Sequence, residues 1–347
     1  MRFNYQTAGR LASVLLAVFA SLALFTPSSY AKTVNVYSAR QEALIKPMLD
    51  KFSEETGIHV NLITGGGDAL LTRLRTEGRN SPADVLLTVD AGRLYRAKEA
   101  GVLQAVQSEY LEQAIPAHLR DSEGYWFGLS VRARVIAYAS DRVKAEQLST
   151  YEALAEPQWR KRLCVRSSNN IYNQSMVASM LSTQGKEATE HWLKGLLANF
   201  ARPPQGGDRD QIKAVAAGQC DLALVNSYYY GAMLELGSPE EQAAAQKVAL
   251  FFPNQDDRGT HINISGAGVT KAAKHVAEAT ALIEFLARPE AQQWYAETNY
   301  EYPASKDIEA SSLLKSWGDF KADSVDVTEL GRLNPQAVMA MDRAKWK

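Results

Sequence analysis

Three consecutive tyrosines, Tyr228, Tyr229 and Tyr230, follow the apolar run Leu222-Ala223-Leu224-Val225 after Asn226 and Ser227. A fourth, Tyr172, follows a second short apolar run, Leu163-Cys164-Val165. A phenol ionises near pH 10, so in neutral surroundings it keeps its proton. A strongly charged cation beside it favours the phenolate and drives the proton off. Phenolate is a hard oxygen donor and suits a small, hard, highly charged ion such as Fe(III). Three phenolates would cancel its three positive charges, as a buried site requires. Taken by itself, a tyrosine run is more often aromatic packing than a metal site, and that reading stays open here.

Other chemistries find less support. The five histidines, His59, His118, His191, His261 and His275, stand apart and form no H-x-x-H or H-E-x-x-H pattern. Softer divalent metals prefer imidazole or thiolate, and the chain offers little of either. Its two cysteines belong to no C-x-x-C pair and are too few for a thiolate zinc site. There is no G-x-S-x-G, so a serine-hydrolase reading has no support. Gly65-Gly66-Gly67-Asp68 is a strand-to-helix turn and matches neither a Walker nor a dinucleotide fingerprint.

A shared spacing links the tyrosines to the cysteines. Tyr172 lies eight residues after Cys164, and Tyr228 eight after Cys220. A bridge between the cysteines would hold their α-carbons within about 7 Å and set the two strands side by side. Both strands would then deliver tyrosines to one end of a sheet, where ligands collect in open α/β folds. A structural disulfide suits an exported chain; two buried free thiols are the alternative.

The elements that must position these residues alternate in type. Thr33–Tyr37 reads as a strand, Glu42–Thr56 as a helix ended by Gly57, Ile58–Ile63 as a strand, and Asp84–Val89 as another. Alternation implies layered α/β architecture with a parallel sheet. Trp126–Tyr138 is a long extended stretch, expected to cross between two lobes, and Gly259–Gly266 is a candidate return crossover. A helix is expected over about 174–183, and another from about Ala232. Lobes joined in this way enclose a cleft, a favoured place for ligands.

The first residues look like an export signal. Arg2 and Arg10 precede the apolar run Leu11–Phe25, and Thr26-Pro27-Ser28-Ser29-Tyr30-Ala31 closes it. That run is shorter than the ~20 residues a spanning helix needs. Cleavage is expected after Ala31, leaving a periplasmic chain that does not itself span the membrane. The rest of the 347 residues suits two lobes rather than one core. Apolar residues make up 46% of the chain. The formal charge is −1, with both signs interspersed, which argues against a nucleic-acid partner.

On these segments the chain resembles the bacterial periplasmic ferric-binding proteins of ABC iron-uptake systems, along nearly the whole mature length. The resemblance is carried by Val36-Tyr37-Ser38-Ala39-Arg40-Gln41, Ser81-Pro82-Ala83-Asp84-Val85 and Arg132-Ala133-Arg134-Val135. Further segments are Tyr172-Asn173-Gln174-Ser175, Asn226-Ser227-Tyr228-Tyr229, His261–Gly266 and Tyr300-Glu301-Tyr302-Pro303. It implies a two-lobe, class II type solute-binding fold, each lobe a mainly parallel sheet flanked by helices. The expected lobes are 32–132 with about 262–310, and 133–261 with about 311–347. It also implies Tyr172, Tyr228 and Tyr229 as Fe(III) ligands, with Tyr230 left to pack.

Many relatives carry histidine where this chain has Gln41-Glu42. That departure fits the subgroup that completes the iron sphere with a synergistic anion, expected to be carbonate or bicarbonate. Arg40, Gln41, Arg132 and Arg134 are its expected partners, since guanidinium forks bind planar oxyanions in two places. Arg132 is preferred over Arg134, and Glu42 is expected to be a solvated carboxylate. The implied role is non-enzymatic: a monomer that captures Fe(III) and passes it to an inner-membrane permease and its ATPase. The main rival is the same fold carrying a polyamine, another small organic ligand or an oxyanion. Iron storage without transport is a third reading.

Overall fold

The computed structural model describes residues 32–305 and 307–347. The export segment and its cleavage after Ala31 lie outside the described residues. Strand β1 (Thr33–Ser38) alternates small polar and β-branched residues, burying Val34 and Val36. It pairs in parallel with β2 (His59–Thr64) and β3 (Val85–Val89). Helices Lys46–Thr56 and Gly67–Glu77 make the two crossovers, as parallel neighbours require. Gly57, at φ 70°, ends the first helix, and its N–H donates to the Ser53 carbonyl over 2.9 Å.

Strand β4 (Phe127–Ala139) is 13 residues long and belongs to two sheet regions. From Phe127 to Ala133 it pairs antiparallel with β8 (Ile262–Val269), which in turn borders β3. From Arg134 onward it pairs antiparallel with β6 (Leu222–Asn226) and β7 (Val248–Phe251). The short β5 (Leu163–Cys164) runs parallel to β6, and β9 (Tyr302–Pro303) pairs with Ser130 and Val131 of β4. The strand order is β2-β1-β3-β8-β4-β6-β5.

The sheet is therefore mixed. Parallel pairing holds for the outer strands, where helical crossovers connect neighbours. At the centre, β4 enters from one side and β8 returns from the other, so their contacts are antiparallel. β4 crosses as expected; β8 begins at Ile262 and stays with β3 and the first half of β4.

Each half of β4 serves its own core. Phe127, Leu129 and Val131 pack with Val34, Leu86 and Ile264 in the first, while Ala133, Val135 and Ile136 face the second region, with Val225 and Leu224. The C-terminal segment contributes to both, with Leu330 in the first core and Met341 in the second. No described helix is long and apolar enough to cross a membrane.

Candidate metal centre

The disulfide forms between Cys164 and Cys220, with α-carbons 5.9 Å apart. β5 and β6 consequently run side by side in parallel and end at the same edge. A helix starts at each end. Ile171–Ala198 follows β5 and is broken at Gly185 (φ 81°); Ser227–Leu236 follows β6 at once. The second begins at Ser227 rather than near Ala232, so all three consecutive tyrosines occupy its first turns. The helix spacing of about 100° per residue then separates their directions. Tyr228 and Tyr229 face a cavity of about 220 Å³, their ring centroids 4.3 Å apart. Tyr230 turns inward, donates to the Val248 carbonyl over 2.9 Å and packs against Trp317.

Tyr172 sits in the first turn of its own helix, whose cap residue Asn170 accepts from the Tyr172 N–H over 3.1 Å. Its phenol oxygen is 3.3 Å from that of Tyr228. Three phenols from two helix N-termini thus meet at one cavity, and the positive end of each helix favours an anionic oxygen there. Among the described residues, no group of three or more His, Cys, Asp or Glu side chains could hold a metal ion.

With no metal cation beside them, the phenols of Tyr228 and Tyr229 hold their protons firmly. Burial, then the neighbouring Tyr172 and Tyr229, push the Tyr228 pKa well above the usual value. Burial, then Tyr172 and Asp208, do the same to Tyr229.

Facing the tyrosines across the cavity are Arg40, Gln41 and Arg132. Arg40 is buried just past β1, over the Tyr295 ring at 5.2 Å. Arg132 lies on β4 with its guanidinium carbon 5.3 Å from the Tyr228 ring centre. Gln41 is exposed and precedes a short 3-10 turn, Glu42–Leu44; the α-helix itself starts only at Lys46. Glu42 is exposed and does not line the cavity.

Arg134 departs from the expected anion role. It alternates with Arg132 along β4, but its terminal nitrogens are already committed. Nη1 donates to Asp208 over 2.8 Å and to Asn226 over 3.1 Å; Nη2 donates to Asn173 over 2.7 Å. Asn226 and Asn173 adjoin the two tyrosine-bearing helix starts, so Arg134 braces them from beneath. His261 takes a packing role. Burial, with Arg134 and Arg258 nearby, pushes its pKa down to about 3 and keeps the imidazole neutral. The backbone N–H of His261 donates to Tyr151 Oη over 3.1 Å.

Glu301 was not among the residues expected at the site. It is 3% exposed, and its carboxylate bridges Arg40 and Arg132. One oxygen pairs with Arg40 Nη2 and accepts from Ser130 Oγ; the other lies 3.3 Å from Arg132 Nη2. Burial works against its charge, yet Arg40, Arg132 and Ser130 hold its pKa below the ordinary carboxylate range. Tyr300, at φ 55°, turns the chain just before it, and β9 then pairs with Ser130 and Val131. Only its place in the segment Tyr300–Pro303 hinted at it, because 261 residues separate Glu301 from Arg40.

Arg132 keeps two of its three guanidinium nitrogens free. Nη2 donates to Ser265 Oγ, whereas Nε and Nη1 are buried without a hydrogen-bond partner among the described residues. Burial disfavours its charge, but Glu301 and the phenols of Tyr228 and Tyr172 hold its pKa above the ordinary guanidinium value. Buried donors left open in this way favour an anionic oxygen nearby.

Two sheet regions joined through one long strand, with a polar cavity beside the crossing, define a two-lobe solute-binding protein. Residues 47–322 match the family of bacterial extracellular solute-binding proteins, and the chain belongs to that family. It is 49% identical over 314 residues to iron uptake protein A1 of Synechocystis, spanning 90% of this chain and 87% of that one. A Trichodesmium protein solved in complex with iron and citrate ligands superposes with a TM-score of 0.88 at 50% identity, covering 91% of this chain and all of that one. The ferric iron-binding protein A of Mannheimia haemolytica, in an open conformation, gives 0.86 at 45% identity, over 91% of this chain and 99% of that one.

Proposed function

We propose that this chain is the periplasmic substrate-binding component of a ferric-iron ABC transporter. The observation that carries the reading is the convergence of Tyr172, Tyr228 and Tyr229 on one cavity, with Tyr172 and Tyr228 in contact through their phenol oxygens at 3.3 Å. Fe(III) is the cargo. It takes the three tyrosines as phenolates, and three protons leave to solvent. Carbonate or bicarbonate fills the remaining positions, held by the open donors of Arg132 with Arg40 and Gln41 beside it. The role is capture and delivery, with no bond made or broken in a substrate.

The lobes that close on the ion are 32–132 with about 262–310, and 133–261 with about 311–347, the last segment also packing on the first lobe through Val327 and Leu330. Closure removes water and strengthens each charged contact. The mature monomer, cleaved after Ala31, would then dock on an inner-membrane permease and its ATPase. A polyamine would need free carboxylates around the aromatics, whereas the buried carboxylate of this cavity, Glu301, is engaged by two arginines.

The test is a titration of metal-free protein with a ferric chelate in bicarbonate, read by visible absorption. A phenolate-to-iron charge-transfer band, lost in Tyr228→Phe and Tyr229→Phe, is the expected result. A folded protein that stays colourless would overturn the ferric reading.

A further inference from the structure

Along the helices Gly67–Glu77 and Ala91–Glu99, most cations face an acid. Arg73 pairs with Glu77 at 2.7 Å, Arg93 with Asp68 at 2.9 Å and Lys98 with Asp121 at 2.8 Å. Arg75, Arg79 and Lys271 instead line one cavity of about 490 Å³. None of these three makes an ion pair or a side-chain hydrogen bond among the described residues. Arg75 and Arg79 flank the helix end at Gly78, whose φ is 53°, and Lys271 comes from the segment after β8. Three like charges gathered around one cavity repel one another.

Nothing negative in the cavity offsets them. Among the described residues no acidic side chain lines it. The nearby Glu77 carboxylate accepts from Tyr37, Arg73 and Ser81, and Glu99 is exposed outside the lining. The end carbonyls of both helices already have backbone partners. Gly78 donates to Leu74, Ala100 to Arg96 and Gly101 to Lys98. The floor is apolar, made by buried Leu74 and half-buried Val102. This cavity lies at the far end of β3 from the tyrosines. Ser81, ahead of that strand, lines it, whereas Val89, the last residue of the strand, lines the tyrosine cavity.

We propose that this cavity is a second binding site, for a phosphate group carried on a small apolar body. A phosphate monoester carries about −1.5 to −2 charge at pH 7, which suits three cations better than a single carboxylate does. The guanidinium forks of Arg75 and Arg79 match phosphate oxygens in pairs, and Lys271 adds a point charge. Leu74 and Val102 take the apolar part out of water. The same chemistry is found on a soluble phosphoester and on the headgroup of an anionic lipid. The site shares no residue with the tyrosine cavity and does not depend on the ferric reading.

The experiment titrates hexyl phosphate into the mature wild type and into Arg75→Gln/Arg79→Gln/Lys271→Gln, read by calorimetry. All three side chains are exposed, so the variant should keep the wild-type thermal midpoint. Wild type should bind at least about tenfold more tightly than the variant. Equal affinity would place the phosphate elsewhere, as at Arg132, and overturn the proposal; so would the absence of any binding heat in wild type. Co-sedimentation with vesicles of phosphatidylglycerol and phosphatidylcholine then distinguishes the two sources. Vesicle binding lost in the variant supports a lipid headgroup, and hexyl phosphate binding without vesicle binding supports a soluble phosphoester.

Discussion

The phenol oxygens of Tyr172 and Tyr228 lie 3.3 Å apart, although 56 residues separate them in sequence. The bridged cysteines, Cys164 and Cys220, have the same separation of 56. One offset therefore sets both pairs: the disulfide aligns β5 with β6, and each chain then reaches its tyrosine eight residues later. If the two phenols act as one ligand unit, Tyr172→Phe and Tyr228→Phe should each weaken Fe(III) binding by about 100-fold, roughly 3 kcal/mol. The double variant should lose less than the sum, because either change already breaks the shared site. Competition against a ferric chelator reads all three.

Iron affinity should fall as pH falls. Burial and neighbouring tyrosines raise the pKa of Tyr228 and Tyr229, so both are protonated throughout the neutral range in the metal-free protein. Binding must expel those protons, and affinity should drop by up to about tenfold per pH unit for each phenol ionised. Chelator competition between about pH 5.5 and 8 measures the slope. A flat profile would mean that the metal leaves the phenols protonated. For folding, the sign is opposite. Phenols with raised pKa contribute stability that persists below about pH 10 and is lost only above it.

Removing the disulfide should loosen the site as well as the fold. Cys164→Ser with Cys220→Ser releases a loop of 56-residue separation, for which chain entropy gives about 4 kcal/mol. Chemical denaturation reports that loss. Iron binding should weaken beyond what incomplete folding explains, because β5 and β6 no longer hold one register.

Arg134 is expected to act through structure. Its pairing with Asp208 is buried on both sides, at 2% and 0% side-chain exposure. Breaking such a pair from one side costs about 3–5 kcal/mol, so Asp208→Asn should lower the thermal midpoint strongly. Its effect on anion preference should be small, in contrast to changes at Arg132.

The helix that carries Tyr172 also touches the opposite side of the molecule. Ser175 Oγ donates to Asp90 Oδ1 over 2.7 Å, and Asp90 caps the helix Ala91–Glu99. Ser175→Ala removes this cross-link while leaving the Asp90 cap in place. Iron should dissociate about tenfold faster, corresponding to the roughly 1.4 kcal/mol of one such hydrogen bond. Stopped-flow transfer to a chelator measures the rate.

Much of the site was legible because its signals are local. Tyr228 and Tyr229 stand together after an apolar strand, and Tyr172 repeats that placement with the same offset from a cysteine. Helix starts were less accurate. The sequence places the second helix start near Ala232, whereas packing of Tyr230 and Met233 against the core accompanies a start at Ser227. The distinction between Arg132 and Arg134 could not come from spacing. Both lie on one strand two residues apart, and only the positions of Asp208, Asn226 and Asn173 commit one of them.

By itself, the sequence determined the α/β class, the placing of tyrosines just after two strands and the cysteine pair, since each depends on residue type and short spacing. The tertiary structure alone decided what faces those tyrosines. Glu301 reaches Arg40 and Arg132 only after Tyr300 turns the chain and β9 pairs with β4. That contact joins segments 261 and 169 residues apart, and the charge of the site is the sum of groups that no local pattern relates.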